Sequence, residues 1–417
     1  MLHYNDEKVK SLLLKGEFGL EKESLRVTSD GHMAHSEHPF KDDKNIVRDF
    51  CENQLEINTG VSYSPEDALL ELLKHENRVN EKLLSLDNKE YLWPYSNPPY
   101  IINEDDIPVA KFEGELSDKT RYREYLTKVY GKYKMTFCGI HVNYSFTKEL
   151  IRADFEASGE SDFLDYKNRL YLELGNNLTY YGWLITLLLS ASPVLDSSFI
   201  NLGEMGESKF LGMASVRCSE LGYWNHFVPV FNYDSVESYV GSIRSLIDDG
   251  LISSQTEVYY PVRLKCLGEN SLETLLEKGI NHIEIRNVDL NPLSKEGLDV
   301  RDLKFIQLLL IYALCVNVPK ADKKTQINGV INYKNAAHFD TETTKIVLSD
   351  GRVLSLKDAG IEVLLDMKSF FTKIGLNQSE ILDYQLVKLV DRDKSYAEII
   401  KKKYEKEYVT KLLDEIM

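Results

Sequence analysis

The sequence predicts an α+β fold, with mostly antiparallel strands in one sheet and helices packed behind it. Three observations predict it. Four stretches far apart in the chain alternate apolar and polar residues with period two, as half-buried strands do. Between them lie segments with leucines at helical spacing, opened by helix-start residues. No repeat of solenoid length and no low-complexity linker is present. We expect a single domain over 1–417, with a core at about 10–320 and a helical C-terminal region at about 321–417.

Residues 6–15 read as a short helix leading into the first strand, 19–27. There Glu21, Glu23, Leu25 and Val27 share one face, and Leu20, Lys22, Ser24 and Arg26 the other. Arg26 is expected to be structural or at the surface. Asp30-Gly31 marks a turn. A second strand is predicted at 49–59, with Leu55 and Ile57 facing one way and Glu52, Gln54 and Glu56 the other. Ser64 as N-cap and Pro65 at the first helical position start a helix to about Leu86. Its predicted apolar face is Leu69, Leu70, Leu73, Val79, Leu83 and Leu84. Pro94, Pro98 and Pro99 force 93–100 into a loop.

Arg121–Tyr130 is predicted helical, and a third strand runs 135–146. Gly139, His141, Asn143 and Ser145 form one face of it, and Ile140, Val142, Tyr144 and Phe146 the other. The spacing over 162–191 predicts one long helix, ended by Pro193. Residues 212–223 alternate again, Ser215, Arg217 and Ser219 opposite Ala214, Val216 and Cys218. Segment 260–265 carries Arg263 and Lys265. In the last strand, 282–292, Glu284 and Arg286 share one face and Ile283 and Ile285 the other. Helices are expected at 297–317, 355–373 and 378–415.

Composition narrows the function. With 43% hydrophobic and 28% charged residues the chain is an ordinary globular protein. A formal charge of −16 argues against a nucleic-acid partner, which needs clustered Lys and Arg. The five cysteines are scattered and never spaced C-x-x-C, so neither a disulfide framework nor a zinc knuckle is expected. The N-terminus has no basic stretch followed by an apolar core, and the apolar runs 183–191 and 306–318 fall short of the roughly 20 residues that span a bilayer. A cytoplasmic, monomeric protein with small-molecule partners and no membrane is expected.

Four polar strand faces carry the chemistry. They offer Glu21 and Glu23, then Asp49 and Glu56, then His141 and Asn143, then Glu284 and Arg286. Taken alone, the Glu21–Glu23 pair reads as a solvated face and His141 as a hydrogen-bonded histidine. Together, five carboxylates and an imidazole suit Mg²⁺ or Mn²⁺ better than zinc, and more than one ion. Arg286, Arg217, Arg263 and Lys265 add fixed positive charge. Metal with Arg and Lys is the equipment of phosphoryl transfer from a nucleoside triphosphate. Neither G-x-x-x-x-G-K-[ST] nor G-x-G-x-x-G occurs, so a P-loop or kinase architecture is not expected.

These residues lie in recognisable blocks: GLEKESLRV (19–27), DFCENQLEINT (49–59), WPYSNPPY (93–100), YREYLTKVYG (122–131), GIHVNYSF (139–146), SASPVLDSSF (190–199), SVRCSELGY (215–223), YPVRLK (260–265) and HIEIRNVDLNPLSKEGLD (282–299). In this order they resemble the glutamate–cysteine ligases (γ-glutamylcysteine synthetases), of the bacterial type that also forms the N-terminal part of bifunctional glutathione synthases. The last ~100 residues match less well. The resemblance implies a glutamine-synthetase-like sheet curved over a metal-lined funnel, without an additional ATP-grasp domain. It implies ATP-dependent joining of the L-glutamate γ-carboxylate to the L-cysteine amine, the first step of glutathione biosynthesis. Alternatives are a γ-glutamyl ligase with another amine acceptor, and a non-catalytic relative that binds glutamate or nucleotide.

By the same resemblance, Glu21, Glu23, Asp49, Glu56, His141 and Glu284 hold the divalent ions. Arg286 and Arg217 act on the reacting groups, and Tyr122, Arg123, Tyr223 and Asn143 bind substrate. Tyr260, Arg263 and Lys265 approach the nucleotide. Loop 93–100 or the segment around 203–213 is expected to cover the site.

Overall fold

The computed structural model describes residues 2–417, the side chains of Glu115 and Ile200 excepted. Its strands are β1 Gly16–Val27, β2 Ile46–Arg48, β3 Gln54–Asn58, β4 Tyr91–Leu92, β5 Gly139–Phe146, β6 Val194–Asp196, β7 Ser208–Phe210, β8 Val262–Lys265, β9 His282–Asp289, β10 Lys345–Val347 and β11 Val353–Ser355. The helices are α1 Glu7–Leu12, α2 Pro65–Leu84, α3 Ser117–Tyr130, α4 Lys148–Ser158, α5 Phe163–Tyr181, α6 Trp183–Leu189, α7 Val236–Asp248, α8 Leu272–Lys278, α9 Val300–Cys315, α10 Lys323–Asn335, α11 Leu356–Lys373, α12 Ser379–Val390, α13 Tyr396–Tyr404 and α14 Tyr408–Ile416.

The α+β architecture agrees with the expectation. One open sheet runs β2-β3-β1-β5-β9-β8, with β4 pairing the end of β1. Every pairing in it is antiparallel. Antiparallel sheets can carry an apolar and a polar face, and here the apolar face packs on helices while the polar one borders a cavity. Leu20, Leu55, Ile57, Ile140, Val142, Ile283 and Ile285 are each 0–1% exposed. They pack against α2, α5 and α6. Lys22 and Arg26 point to that buried side and are neutralised there. Lys22 pairs with Glu76 of α2, and Arg26 Nη1 meets Glu90 at 2.6 Å. Arg26 is thus structural, with no exposed surface.

The capping signals held locally. Ser64 Oγ accepts from Asp67 N at 3.1 Å with Pro65 in the first turn, as predicted. On α2, however, Leu72 is buried, whereas Leu70 and Leu84 face solvent. Other elements differ for identifiable reasons. Residues 49–53 are a turn closing the β2–β3 hairpin, where Gln54 N donates to Cys51 O, so the strand begins only at Gln54. Residues 133–136 form a 3₁₀ turn before β5. The predicted long helix breaks at Gly182, where a side chain would overlap the Tyr333 hydroxyl. Residues 212–223 are looped rather than a strand, with Ser219 N donating to Ser215 O.

The C-terminal region contains α10, the β10–β11 hairpin and four further helices, so the helix predicted over 378–415 is three. It is tied to the core. Lys388 of α12 meets Asp302 of α9 at 2.8 Å with both buried. The Tyr408 hydroxyl of α14 donates to Asn97 O at 2.7 Å. Loop 93–100, expected as a cover, is itself core: Trp93, Ser96 and Asn97 are fully buried. Its proline-interrupted backbone is satisfied by partners such as Cys138 N, which donates to Ser96 O at 3.0 Å.

Candidate active site

Register explains why the polar groups converge. Side chains directly opposite in an antiparallel pair lie on the same face. Glu23 pairs with Glu56, and Glu21 with His141. Asn143 pairs with Glu284, and Glu284 with Arg263. Asp49 arrives from the β2–β3 turn. Five strands, β1, β3, β5, β8 and β9, thus place their polar faces on one floor.

A bulge completes it. Val142 pairs with Ile285 but Ile140 with Val288, so Arg286 and Asn287 both oppose His141. The extra residue returns Val288 to the buried face, where strict alternation from Glu284 would have placed it on the polar one. It also opens the sheet beside His141.

The floor borders a cavity of about 340 Å³. Glu21, Glu23, Asp49, Glu56, His141, Arg217, Tyr122, Arg123, Tyr223, Tyr260, Arg263, Lys265, Glu284 and Arg286 all line it. Asn143 does not line it but stands beside it, its Nδ2 donating to Glu21 Oε1 at 2.8 Å. One ligand atom from each of Glu21, His141 and Glu284 lies within 4.8 Å of the others. His141 Nδ1 is 3.2 Å from Glu21 Oε2, and its Nε2 is 3.5 Å from Glu23 Oε1. Glu23 Oε2 accepts from Gly139 N at 3.1 Å.

The cations divide into two kinds. Three surround Glu284: Arg286 Nη1 at 3.1 Å, Lys265 Nζ at 3.4 Å and Arg263 Nη1 at 3.9 Å. Burial alone would raise the Glu284 carboxyl, yet these three hold it well below the usual range. Other guanidiniums hold backbone. Arg217 donates to Arg286 O at 2.9 Å and Val288 O at 3.2 Å, clamping the bulge. It lies flat on Gly139, where any side chain would overlap it. Arg123 donates to Asp49 O at 2.8 Å and stacks on Phe112, so it positions the Asp49 turn. Arg263 also donates to Thr256 O and Val258 O.

The opposite half of the floor is acidic. Burial pushes Glu23 up. Burial, with Asp49 and Glu21 beside it, pushes Glu56 up to about 8. Burial also acts to raise Glu21, but the hydrogen bond with His141 leaves it lowered. Carboxylates that raise one another in this way fit divalent cations: hard oxygen donors, one imidazole and an excess of negative charge. The Cys218 thiol also lines the cavity, and burial pushes it up to about 12.

Sequence reasoning missed Tyr259, Trp224, Thr186 and Asn287, all in the lining. Tyr259 and Trp224 adjoin Tyr260 and Tyr223 in the motif blocks, which was the available signal. Asn287 lies within the 282–299 block but off the strict alternation, reaching the cavity through the bulge, and Thr186 had no signal.

An acidic sheet face rimmed by fixed cations is the kind of site found in ligases that activate a carboxylate with a nucleoside triphosphate. The sequence profile of one such family, the glutamate-cysteine ligases, matches residues 2–251 and 244–336, and the chain belongs to that family. It is 36% identical to the glutathione biosynthesis bifunctional protein GshAB of Clostridium perfringens, over 90% of this chain and 50% of that one. The counterpart from Listeria monocytogenes serotype 4b is 35% identical, over 96% and 54%. The chain spans about half the length of these relatives. A crystal structure of a bifunctional glutathione synthetase from Pasteurella multocida superposes with a TM-score of 0.83 at 29% identity, covering 99% of this chain and 53% of that one. A glutamate–cysteine ligase of Francisella tularensis, solved with AMP, shares the fold with a TM-score of 0.84 at 24% identity, over 96% and 87%. No helix among the described residues is long and apolar enough to cross a membrane.

Proposed function

We propose that this protein is an ATP-dependent glutamate–cysteine ligase, joining the γ-carboxylate of L-glutamate to the amine of L-cysteine to give γ-glutamylcysteine, ADP and phosphate. The observation that carries this reading is the single floor shared by Glu21, His141 and Glu284, bordered by Arg286, Lys265 and Arg263. Glu21, His141 and Glu284 would hold one divalent ion, Mg²⁺ or Mn²⁺, and Glu23, Asp49 and Glu56 a second. Bound ions supply positive charge that screens a triphosphate from an approaching carboxylate.

The residues of this chain then divide the work. Lys265, Arg263 and Arg286 form the cationic bank where the triphosphate and the glutamyl carboxylate meet. A γ-carboxylate oxygen bonds to the γ-phosphorus as the bond to the ADP oxygen breaks, giving a γ-glutamyl phosphate. The cysteine amine adds to the acyl carbon, loses a proton, and phosphate leaves. Arg286 is placed to donate to the oxyanion of that addition, worth on the order of 3 kcal/mol for a well-aimed donor. Arg217 and Arg123 act through what they clamp, the β9 bulge and the Asp49 turn. Tyr122, Tyr223, Trp224 and Tyr259 present a neutral wall suited to the acceptor's side chain and to excluding water.

We infer a single ligase domain over residues 1–417 that works in the cytoplasm, with α11–α14 as a buttress behind its core. The test is ADP release with ATP, Mg²⁺ or Mn²⁺, glutamate and single amino acids in turn. Release that needs both glutamate and cysteine supports the reading. Equal release with another amine in place of cysteine moves it to a different γ-glutamyl ligase, and no glutamate-dependent release with any amine refutes it.

A further inference from the structure

Three segments form the neutral wall of the cavity. α3 brings Tyr122 and Leu126, the 222–226 turn brings Tyr223 and Trp224, and the segment before β8 brings Thr256, Tyr259 and Tyr260. Leu126 is the one fully buried residue of α3 among those described, and Tyr122, Tyr125 and Tyr130 pack against the core only in part. What ties the three together is a polar cluster behind the lining.

At its centre is Glu257, 0% exposed. Its Oε1 accepts from two α3 phenols, Tyr130 at 2.8 Å and Tyr125 at 3.2 Å. Its Oε2 accepts from Ser253 N at 2.6 Å and Ser253 Oγ at 2.9 Å. Asn225 closes the network from the third segment. Its Nδ2 donates to Glu257 O at 2.8 Å and to the Tyr130 hydroxyl at 3.1 Å, and its Oδ1 accepts from Tyr259 N at 2.8 Å. The Tyr130 ring packs edge-on to Tyr259 and Tyr223, with centroids 5.2 and 6.4 Å apart. A carboxylate has about four acceptor positions, and Glu257 fills them with neutral donors from two segments. Burying a carboxylate beside phenols rather than Lys or Arg is costly unless every position is matched. Its loss would leave two half-buried phenols without that acceptor and remove two of the hydrogen bonds that tie α3 to the segment before β8.

We propose that Glu257 is a positioning residue, a latch that fixes this wall and with it the seat of the acceptor amine. The inference rests on the ligase reading above. Triphosphate and glutamate are anions and belong at the Arg286–Lys265–Arg263 bank. The neutral side chain of the acceptor is the part of the substrates that a wall of Tyr and Trp suits. Glu257, Asn225 and Tyr130 stand outside the cavity lining, so their effect passes through Tyr122, Tyr223 and Tyr259.

The test compares Glu257→Gln and Tyr130→Phe with the native protein, using KM for cysteine, glutamate and ATP together with amide hydrogen exchange of the free protein. Loss of a hydrogen bond to a charged group predicts a rise of about tenfold or more in the cysteine KM for Glu257→Gln, and a smaller rise for Tyr130→Phe. The KM values for glutamate and ATP stay within about twofold. Exchange accelerates in 117–131 and is unchanged in β1 and β5. An unchanged cysteine KM overturns the proposal, as does a parallel rise in all three KM values. Should Glu257→Gln not fold, Tyr130→Phe decides alone. If the native protein shows no glutamate-dependent ADP release, the ligase reading fails, and faster exchange confined to 117–131 or its absence still decides the latch.

Discussion

Replacing Glu56 with Gln should make the metal-free protein more stable, by an amount that grows as pH rises from about 4.5 to about 8. Glu56 stands opposite Glu23 on the floor, and its carboxyl is pushed from 4.5 up to about 8 by burial and by Asp49 and Glu21. Disfavouring the ionised form over that interval amounts to about 5 kcal/mol at full ionisation. Glu56 keeps part of its solvent contact, so screening brings this to on the order of 2–3 kcal/mol. The sign follows from proton counts. Between about 4.5 and 8 the folded state holds the proton that the unfolded state has released, so stability falls as pH rises. The penalty is absent below that window and complete above it.

A chain of 417 residues has an unfolding entropy of about 0.9 kcal/mol/K, so 1 kcal/mol moves the midpoint by about 1 °C. Calorimetry without metal should therefore show Glu56→Gln melting about 2–3 °C above the native protein near pH 8.5, and level with it near pH 4.5. Added Mn²⁺ should raise the native midpoint more than the variant's at the higher pH, because the ion relieves the same repulsion. A gain of equal size at both pH values, or a variant less stable at the higher one, would show that the floor is not strained by its own charge.

Three further outcomes follow from the geometry. Glu21→Gln should lower metal-dependent ADP release about 100-fold while leaving the thermal midpoint close to native; unchanged turnover contradicts the metal assignment. Arg26→Met should cost about 3–5 kcal/mol in urea unfolding, because it strands the buried Glu90 carboxylate, and Arg26→Met with Glu90→Leu should recover most of it. Gly139→Ala should reduce kcat by about tenfold or more, since the new methyl overlaps the Arg217 guanidinium and releases the carbonyls of Arg286 and Val288; native kcat would mean that the clamp has no part in turnover.

The floor was legible in the sequence because period-two alternation is a local property. Each of Glu21, Glu23, Glu56, His141 and Glu284 could be assigned to a polar strand face from its own neighbours. Where alternation was misleading, something non-local had intervened. Residues 212–223 alternate, yet no neighbouring strand pairs with them, and their backbone turns on itself instead. The 162–191 pattern suits a continuous helix, but the packing of Tyr333 against Gly182 breaks it. Arg217 and Arg123 carry charge that any reading would send to an anion, and the fold uses both on backbone carbonyls.

By itself the sequence determined the α+β class, the polar faces and the acid-and-cation chemistry they bear, because side-chain type and spacing are written residue by residue. Only the tertiary structure decided which groups meet. The antiparallel register sets Glu21 across from His141 and Glu284 across from Arg263, and the β9 bulge places Asn287 beside Arg286 opposite His141. The Glu257 cluster joins parts of the chain more than 100 residues apart, such as Tyr130 and Glu257. Such pairings depend on how whole strands and helices pack, and no short stretch of sequence contains that information.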